Sequence, residues 1–327
     1  MEEIFGFRVG QPIVWFHKNA TKSNQNCFYC GDYVGSGSEI SSDKEHLIGR
    51  EFVPKGSLDG ASFNFIFRAC QRCNGEKSAA ERHISSVTLL TSPARQIDGQ
   101  VNSLAMHKAS RDFHPHKKGV LVKDAGDEHV VEFGEGGMTA KFTLVGPPQL
   151  DQDAVNLLAC NHVQGIFAMC ATEDPRVTER SKFLPASYLY CFGHYIHRDW
   201  GNPHIREITR RVVDWPCCAS IVSANGYFKL MLKKCVEGEE FFWALEWNKS
   251  LRIVGAICSP SVEPKLFSDL PDLGWRYLPD GSRTRREVTL ADENDSLFTP
   301  FNFEESDEEY PSHKLIEDND QAPSGCH

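Results

Sequence analysis

Cys27-Phe28-Tyr29-Cys30, Glu45-His46-Leu47-Ile48 and Asn64-Phe65-Ile66-Phe67-Arg68-Ala69-Cys70-Gln71-Arg72-Cys73-Asn74-Gly75-Glu76-Lys77 decide the fold of the N-terminal part of the chain. Two CxxC pairs bracket one histidine. Zinc takes four thiolate or imidazole ligands in a tetrahedron, and two cysteines spaced by two residues grip it from one tight turn, so two such turns complete the shell. Glu76, Lys77, Ala79, Ala80, Glu81 and Arg82 are good helix formers. A helix is therefore predicted from Asn74 to about Leu90, ended by Ser92-Pro93. Upstream lie a β-prone run around Phe63 to Phe67 and a shorter one from Glu45 to Ile48, joined by a loop containing Gly49, Pro54, Gly56 and Gly60. The reading is strand, loop, strand, helix, pinned by zinc.

The order CxxC, acid-His, Asn, CxxC-Asn, Lys resembles the HNH endonuclease family, the zinc-stapled branch of the ββα-metal fold. The resemblance covers roughly a quarter of the chain. It implies cleavage of nucleic-acid phosphodiesters with a divalent cation. Residue by residue, it implies structural zinc on Cys27, Cys30, Cys70 and Cys73, and His46 as general base. It further implies a catalytic Mg²⁺ or Mn²⁺ on Glu45 and Asn74, and Asn64 orienting the histidine by a hydrogen bond. The chain departs from the family in having Glu45 where Asp is common, and Asp59-Gly60 where Gly-Gly is usual. Neither change removes a needed chemical group.

The chemistry stands on its own terms. Water attacking a phosphodiester must lose a proton, and an imidazole with a reference pKa of about 6.5 is largely neutral at neutral pH. Charge that builds on the phosphorus and the departing oxygen is stabilised by a hard cation with oxygen ligands. Neighbours on a regular strand point to opposite faces, so the strand must end or bend at Glu45-His46 for both to meet one phosphate. His83, nine residues past Asn74 on the same helix, is too far along to join them. A purely structural zinc ribbon and a surface Glu-His pair are the competing readings of the separate pieces. The joint pattern favours the nuclease.

The chain has 327 residues, room for two domains and an ordinary core. No run of about 18 apolar residues suggests a membrane span. Met1-Glu2-Glu3-Ile4 lacks the basic start of a secretory leader. Of twelve cysteines, four belong to the CxxC pairs; Cys160, Cys170, Cys191, Cys217, Cys218, Cys235, Cys258 and Cys326 show no framework spacing. A reducing cytoplasm is the expected location.

The expected fold class is α+β. An HNH module at 1–92 precedes a larger α+β recognition or regulatory domain with antiparallel strands at 93–290, and 291–327 forms a flexible acidic tail. Within this frame Pro12 to Phe16 reads as a strand and Ile97 to Arg111 as a helix. Two or three strands are expected among Val120–Val122, Val130–Phe133 and Ala140–Val145, and Asp151–Ala171 reads as the strongest helix of the second domain. Tyr188 to Trp200 is aromatic and histidine-rich, with core packing as the default over a metal site on His194, His197 and His204. Pro203–Val213 is a short helix bearing Arg206, Arg210 and Arg211. Three or four antiparallel strands then follow from Ala219 to Cys258, the first two joined by Asn225-Gly226. Residues 292–320 carry eleven acids and one lysine, which equals the net charge of −10 for the whole chain. The remainder is near neutral, so the acidity does not argue against nucleic acid.

These features predict a metal-dependent endonuclease acting on DNA, with RNA left open, whose second domain engages a target, a protein partner or a regulatory ligand. A gated effector of a host-defence or mobile-element system is one form of it. A non-cleaving, zinc-stabilised nucleic-acid-binding or assembly subunit is the alternative.

Overall fold

In the computed structural model of the chain, residues 24–59, 64–115, 117–135, 138–171, 183–261, 264–277 and 283–299 are described. The expected strand at Pro12 to Phe16 and the segment 300–327 lie outside them.

Strand β1 (Ser42–His46) pairs antiparallel with β2 (Ile66–Cys70), placing Glu45 opposite Phe67 and His46 opposite Ile66. Phe67 and Ala69 alternate inward while Ile66 and Arg68 stay partly exposed, the period-2 pattern of a half-buried strand. β2 runs directly into helix α1 (Gln71–Thr91). The helix starts three residues earlier than expected, because the Cys70 sulfur accepts the Cys73 N–H and so supplies an N-cap the propensity pattern does not contain. It ends at Ser92, before Pro93, as expected.

Two short helices follow: α2 (Ala94–Ile97) and α3 (Gly99–Ala109), the latter capped by Asp98, whose carboxylate accepts the Gln100 and Val101 N–H groups. The expected strand at 120–122 is absent. Leu121 makes one bridge to Phe113, and Val122 opens a single 3₁₀ turn that packs on Val87 and Ala109. β3 (Gly126–Glu135) and β4 (Met138–Pro148) form an antiparallel ribbon. α4 (Gln152–Ala171) then crosses back onto α1.

The second half is built on a five-stranded antiparallel sheet. β5 (Leu189–Ile196) precedes α5 (Pro203–Arg211), and β6 (Cys217–Ser223), β7 (Phe228–Lys234), β8 (Phe241–Trp247) and β9 (Leu251–Ile257) follow as a meander. The spatial order is β5-β9-β8-β7-β6. Asn225 and Gly226, both at positive φ, make the β6–β7 turn in the left-handed region that favours such residues. The fifth strand, β5, is one the sequence reading treats only as aromatic packing.

β8 and β9 are buried along their whole length because both sheet faces are covered. Phe241, Trp243, Leu245 and Trp247 face the core shared with α4, while Phe242, Ala244 and Val254 face α5. The larger cluster runs from Phe28, Leu47 and Phe67 through Ile166 and Phe167 to Trp247, and so crosses the boundary expected at 92/93 without interruption. Gly165 marks that contact: a Cβ there would lie 2.5 Å from Leu47 Cδ1, so α4 approaches the chain just after His46 as closely as a glycine allows.

Residues 285–299 run across the sheet rather than opening a free tail at 291. Arg285 pairs with Asp199, Asp295 with Arg252, and Leu297 is buried. Among the described residues no helix is long and apolar enough to cross a membrane.

Candidate metal centre and active site

The turn at Cys27–Cys30, closed by the Gly31 N–H to Cys27 carbonyl bond, brings the first two thiols against the β2–α1 junction. The Cys27, Cys30, Cys70 and Cys73 sulfurs all lie within 4.8 Å of one another, with Cys30 and Cys70 3.8 Å apart. That is the donor set and spacing of a structural zinc site, so the cluster could hold a zinc ion. Electrostatics agree. The Cys70 thiol is held down to about 6, first through its hydrogen bond with Cys27, while Cys27 is pushed far up, first by the Cys30 thiol. Four crowded thiols cannot all ionise unless a cation neutralises them.

Glu45, His46 and Asn74 line one cavity of about 280 Å³, together with Ser78, Glu81, Arg82 and Lys108. β1 ends at His46, which meets the geometric requirement for both residues to reach it. The imidazole is half-buried, and its Nε2 is buried with no hydrogen-bond partner among the described residues. Burial first, then the charges of Arg50, Lys44 and Lys77, hold its pKa below the ordinary histidine value, which keeps it neutral at neutral pH.

Glu45 is not a free ligand. It is only 6% exposed; its Oε1 sits 2.7 Å from Lys77 Nζ and accepts the Tyr29 hydroxyl at 3.2 Å. Lys77 is fully buried and also donates to Glu81 Oε1 at 2.7 Å and to the His46 carbonyl at 3.1 Å. Glu81 in turn accepts the Gly49 N–H at 2.9 Å and lies 3.8 Å from His162 Nε2 on α4. Burial pulls Lys77 down, but the Glu81 and Glu45 carboxylates outweigh it and hold its pKa above the usual lysine value. The ammonium is therefore charged, and it locks the His46 backbone to α1.

Asn64 takes a different route from the one expected. Its amide accepts the Ile48 N–H at 3.1 Å and donates to the Ile48 carbonyl at 2.8 Å. It clamps the backbone two residues beyond His46 and steers the ring only through that backbone.

Asn74, Lys77 or Ser78, and Glu81 recur at helical spacing on one side of α1. That period was the available signal for Lys77 and Glu81, to which the motif reading assigned no role. His162 carries no local signal, since it reaches the site only through the packing of α4. His83 accepts the Asp151 N–H, away from the cavity. His194, His197 and His204 do not gather: His197 packs on Trp200 and His204 meets the Pro271 carbonyl. Arg210 and Arg211 are tied to Glu207. Among the described residues, no group of three or more His, Cys, Asp or Glu other than the cysteine quartet comes close enough to hold a metal.

No protein family, curated protein or solved structure matches this chain in comparison.

Proposed function

We infer that the chain is a metal-dependent endonuclease of the HNH type that hydrolyses DNA phosphodiester bonds. The observation that carries this reading is the convergence of His46, Glu45 and Asn74 on one cavity beside a four-cysteine cluster, framed by hairpin and helix. His46 is neutral and its Nε2 has no partner among the described residues, which suits it to take the proton of an attacking water. Lys77 fixes the backbone of that histidine, and Asn64 fixes the turn that follows it.

The donor set at the cavity fits a hard divalent cation. Glu45 offers its second carboxylate oxygen and Asn74 an amide oxygen, and Mg²⁺ ordinarily takes one or two protein oxygens and fills its shell with water and phosphate. When bound, Mg²⁺ or Mn²⁺ would supply Lewis-acid stabilisation of charge on the phosphate. The commitment of Glu45 Oε1 to Lys77 favours a second reading, a zinc-stabilised nucleic-acid-binding subunit that does not cut.

Cleavage of supercoiled plasmid by the purified chain, with and without Mg²⁺ or Mn²⁺, separates the two. Metal-dependent nicking is expected, and His46→Ala at matched zinc content should lower it about 10²–10⁴-fold, the usual worth of a general base. If neither protein nicks DNA while both remain folded and zinc-loaded, the binding reading replaces the nuclease.

A further inference from the structure

A second, wider cleft of about 1100 Å³ opens beside the cavity and shares His46, Arg50, Glu51, Arg82 and Lys108 with it. Its cations come from three separate elements. Arg50 and Lys55 lie on the β1–β2 loop, Arg82 on α1, and Lys108 and Arg111 on and just after α3. Glu51, Asp59 and Asp112 also line it, so five cations face three carboxylates, and Asp112 is engaged by the Ser86 hydroxyl.

Among the described residues these five cations are not committed to a carboxylate by an ion pair, unlike several arginines elsewhere. Arg198, Arg210, Arg211, Arg252 and Arg285 all sit in ion pairs. The side chains of Arg50, Lys55, Arg82 and Lys108 form no ion pair or hydrogen bond among the described residues, and Arg111 meets only the His107 ring at 3.3 Å. Lys108 is half-buried, and burial holds its pKa below the usual lysine value. A half-buried ammonium that shares the nearby Asp112 and Glu51 carboxylates with the other cleft cations, and lines an open cleft, is a seat for a further anion. Leu104, His107, Lys108 and Arg111 follow helical spacing, so α3 presents one face along the cleft.

We propose that this cleft carries the phosphate backbone of duplex DNA to His46, with Lys108 and Arg111 of α3 supplying contacts from outside the ββα frame. The proposal rests on the nuclease reading and names the surface through which that site receives its substrate. A polyanion fits because the cations are spread along a groove, whereas a single small anion would need them converging on one point.

The test is anisotropy of a labelled 20-base-pair duplex over a salt series, in a His46→Ala background that leaves the DNA intact. Adding Lys108→Gln and Arg111→Gln should weaken binding on the order of tenfold at 0.1 M salt and lower the slope of log K against log salt by about 2. Arg198→Gln and Arg210→Gln, on paired arginines, should change neither. Should the double variant lose its zinc or its cooperative melt, Lys55→Gln and Arg82→Gln, on exposed side chains, read the same slope at about 1 each. An unchanged slope in the cleft variants, no duplex binding by the parent at low salt, or tighter binding of single-stranded RNA overturns the proposal. Plasmid nicking is scored separately. A parent that nicks DNA while ignoring the cleft variants loses the cleft and keeps the nuclease; one that binds through the cleft without nicking does the reverse.

Discussion

Lys77 is the residue on which the candidate site turns. A lysine with no exposed surface is costly unless its charge is met, and this one is met by three oxygens, from Glu45, Glu81 and the His46 carbonyl. Lys77→Met keeps the volume and strands two buried carboxylates, which should cost about 3–5 kcal/mol, measured by urea unfolding at neutral pH. The sign of the pH dependence follows from the carboxylates. Burial raises Glu81, but the Lys77 charge and then His162 bring it below the ordinary 4.5, so it stabilises the fold above that value and the benefit fades as pH falls. For Glu45, burial wins over Lys77 and its pKa is raised, so losing the ammonium makes its ionisation costlier still at neutral pH. Both effects make the difference between Lys77→Met and the parent narrow as pH falls from neutral, first through the raised range of Glu45 and then through the lowered range of Glu81. A difference constant from pH 7 to pH 4 would show that the ammonium is not what holds the pair.

α1 is the element that gathers the chemistry. Its cap is Cys70, its first turn carries Cys73 and Asn74, and its next two turns carry Lys77 and Glu81. Helix geometry then sets these groups about 5 Å apart along one side. The cysteine cluster and the cavity thus share one rigid rod, and loosening its N-terminus should be felt at His46. Stripping the metal with a strong chelator forfeits a binding free energy on the order of 10 kcal/mol, the worth of structural zinc in small domains. The expected result is loss of helical circular dichroism and a lower melting temperature, reproduced by Cys70→Ser without chelator. A melt indifferent to both treatments would mean that the four thiols do not hold a structural ion.

At the scale of the whole molecule, the hairpin and helix are not a detachable module in their packing. Phe28 packs at a tilt on Phe183, and Phe52 meets Trp247 edge-on at 5.7 Å. Asn248 donates to the Phe52 carbonyl and to Thr88 Oγ1, and the Thr91 and Ser250 hydroxyls bond across the same seam. Each aromatic uncovered by removing the second half forfeits about 1.5–3 kcal/mol of burial. A fragment of residues 1–92 is therefore expected to aggregate or stay unfolded even with zinc, where the full chain melts cooperatively; a soluble fragment with native-like circular dichroism would refute this. The sheet plays the part of a platform, with α4 on one face and α5 on the other.

The sequence by itself determined whatever depends on neighbours in the chain. The thiol spacing, the hairpin and helix order, the Asn225-Gly226 turn and the span of α4 were legible, because caps, turns and periodicity act over a few residues, whereas the strand expected at Glu45 to Ile48 lies at Ser42–His46. The tertiary structure alone decided what depends on distant segments meeting. β5 pairs with β9 across some sixty residues, and its bulge between Cys191 and Gly193 breaks the alternation that would have betrayed a strand. His162 reaches Glu81, and α3 turns its cations onto the cleft, only because α1, α3 and α4 pack together. Asn64 met Ile48 rather than the His46 ring, and Glu45 met Lys77, for the same reason: a buried polar group takes the partner that packing brings within reach.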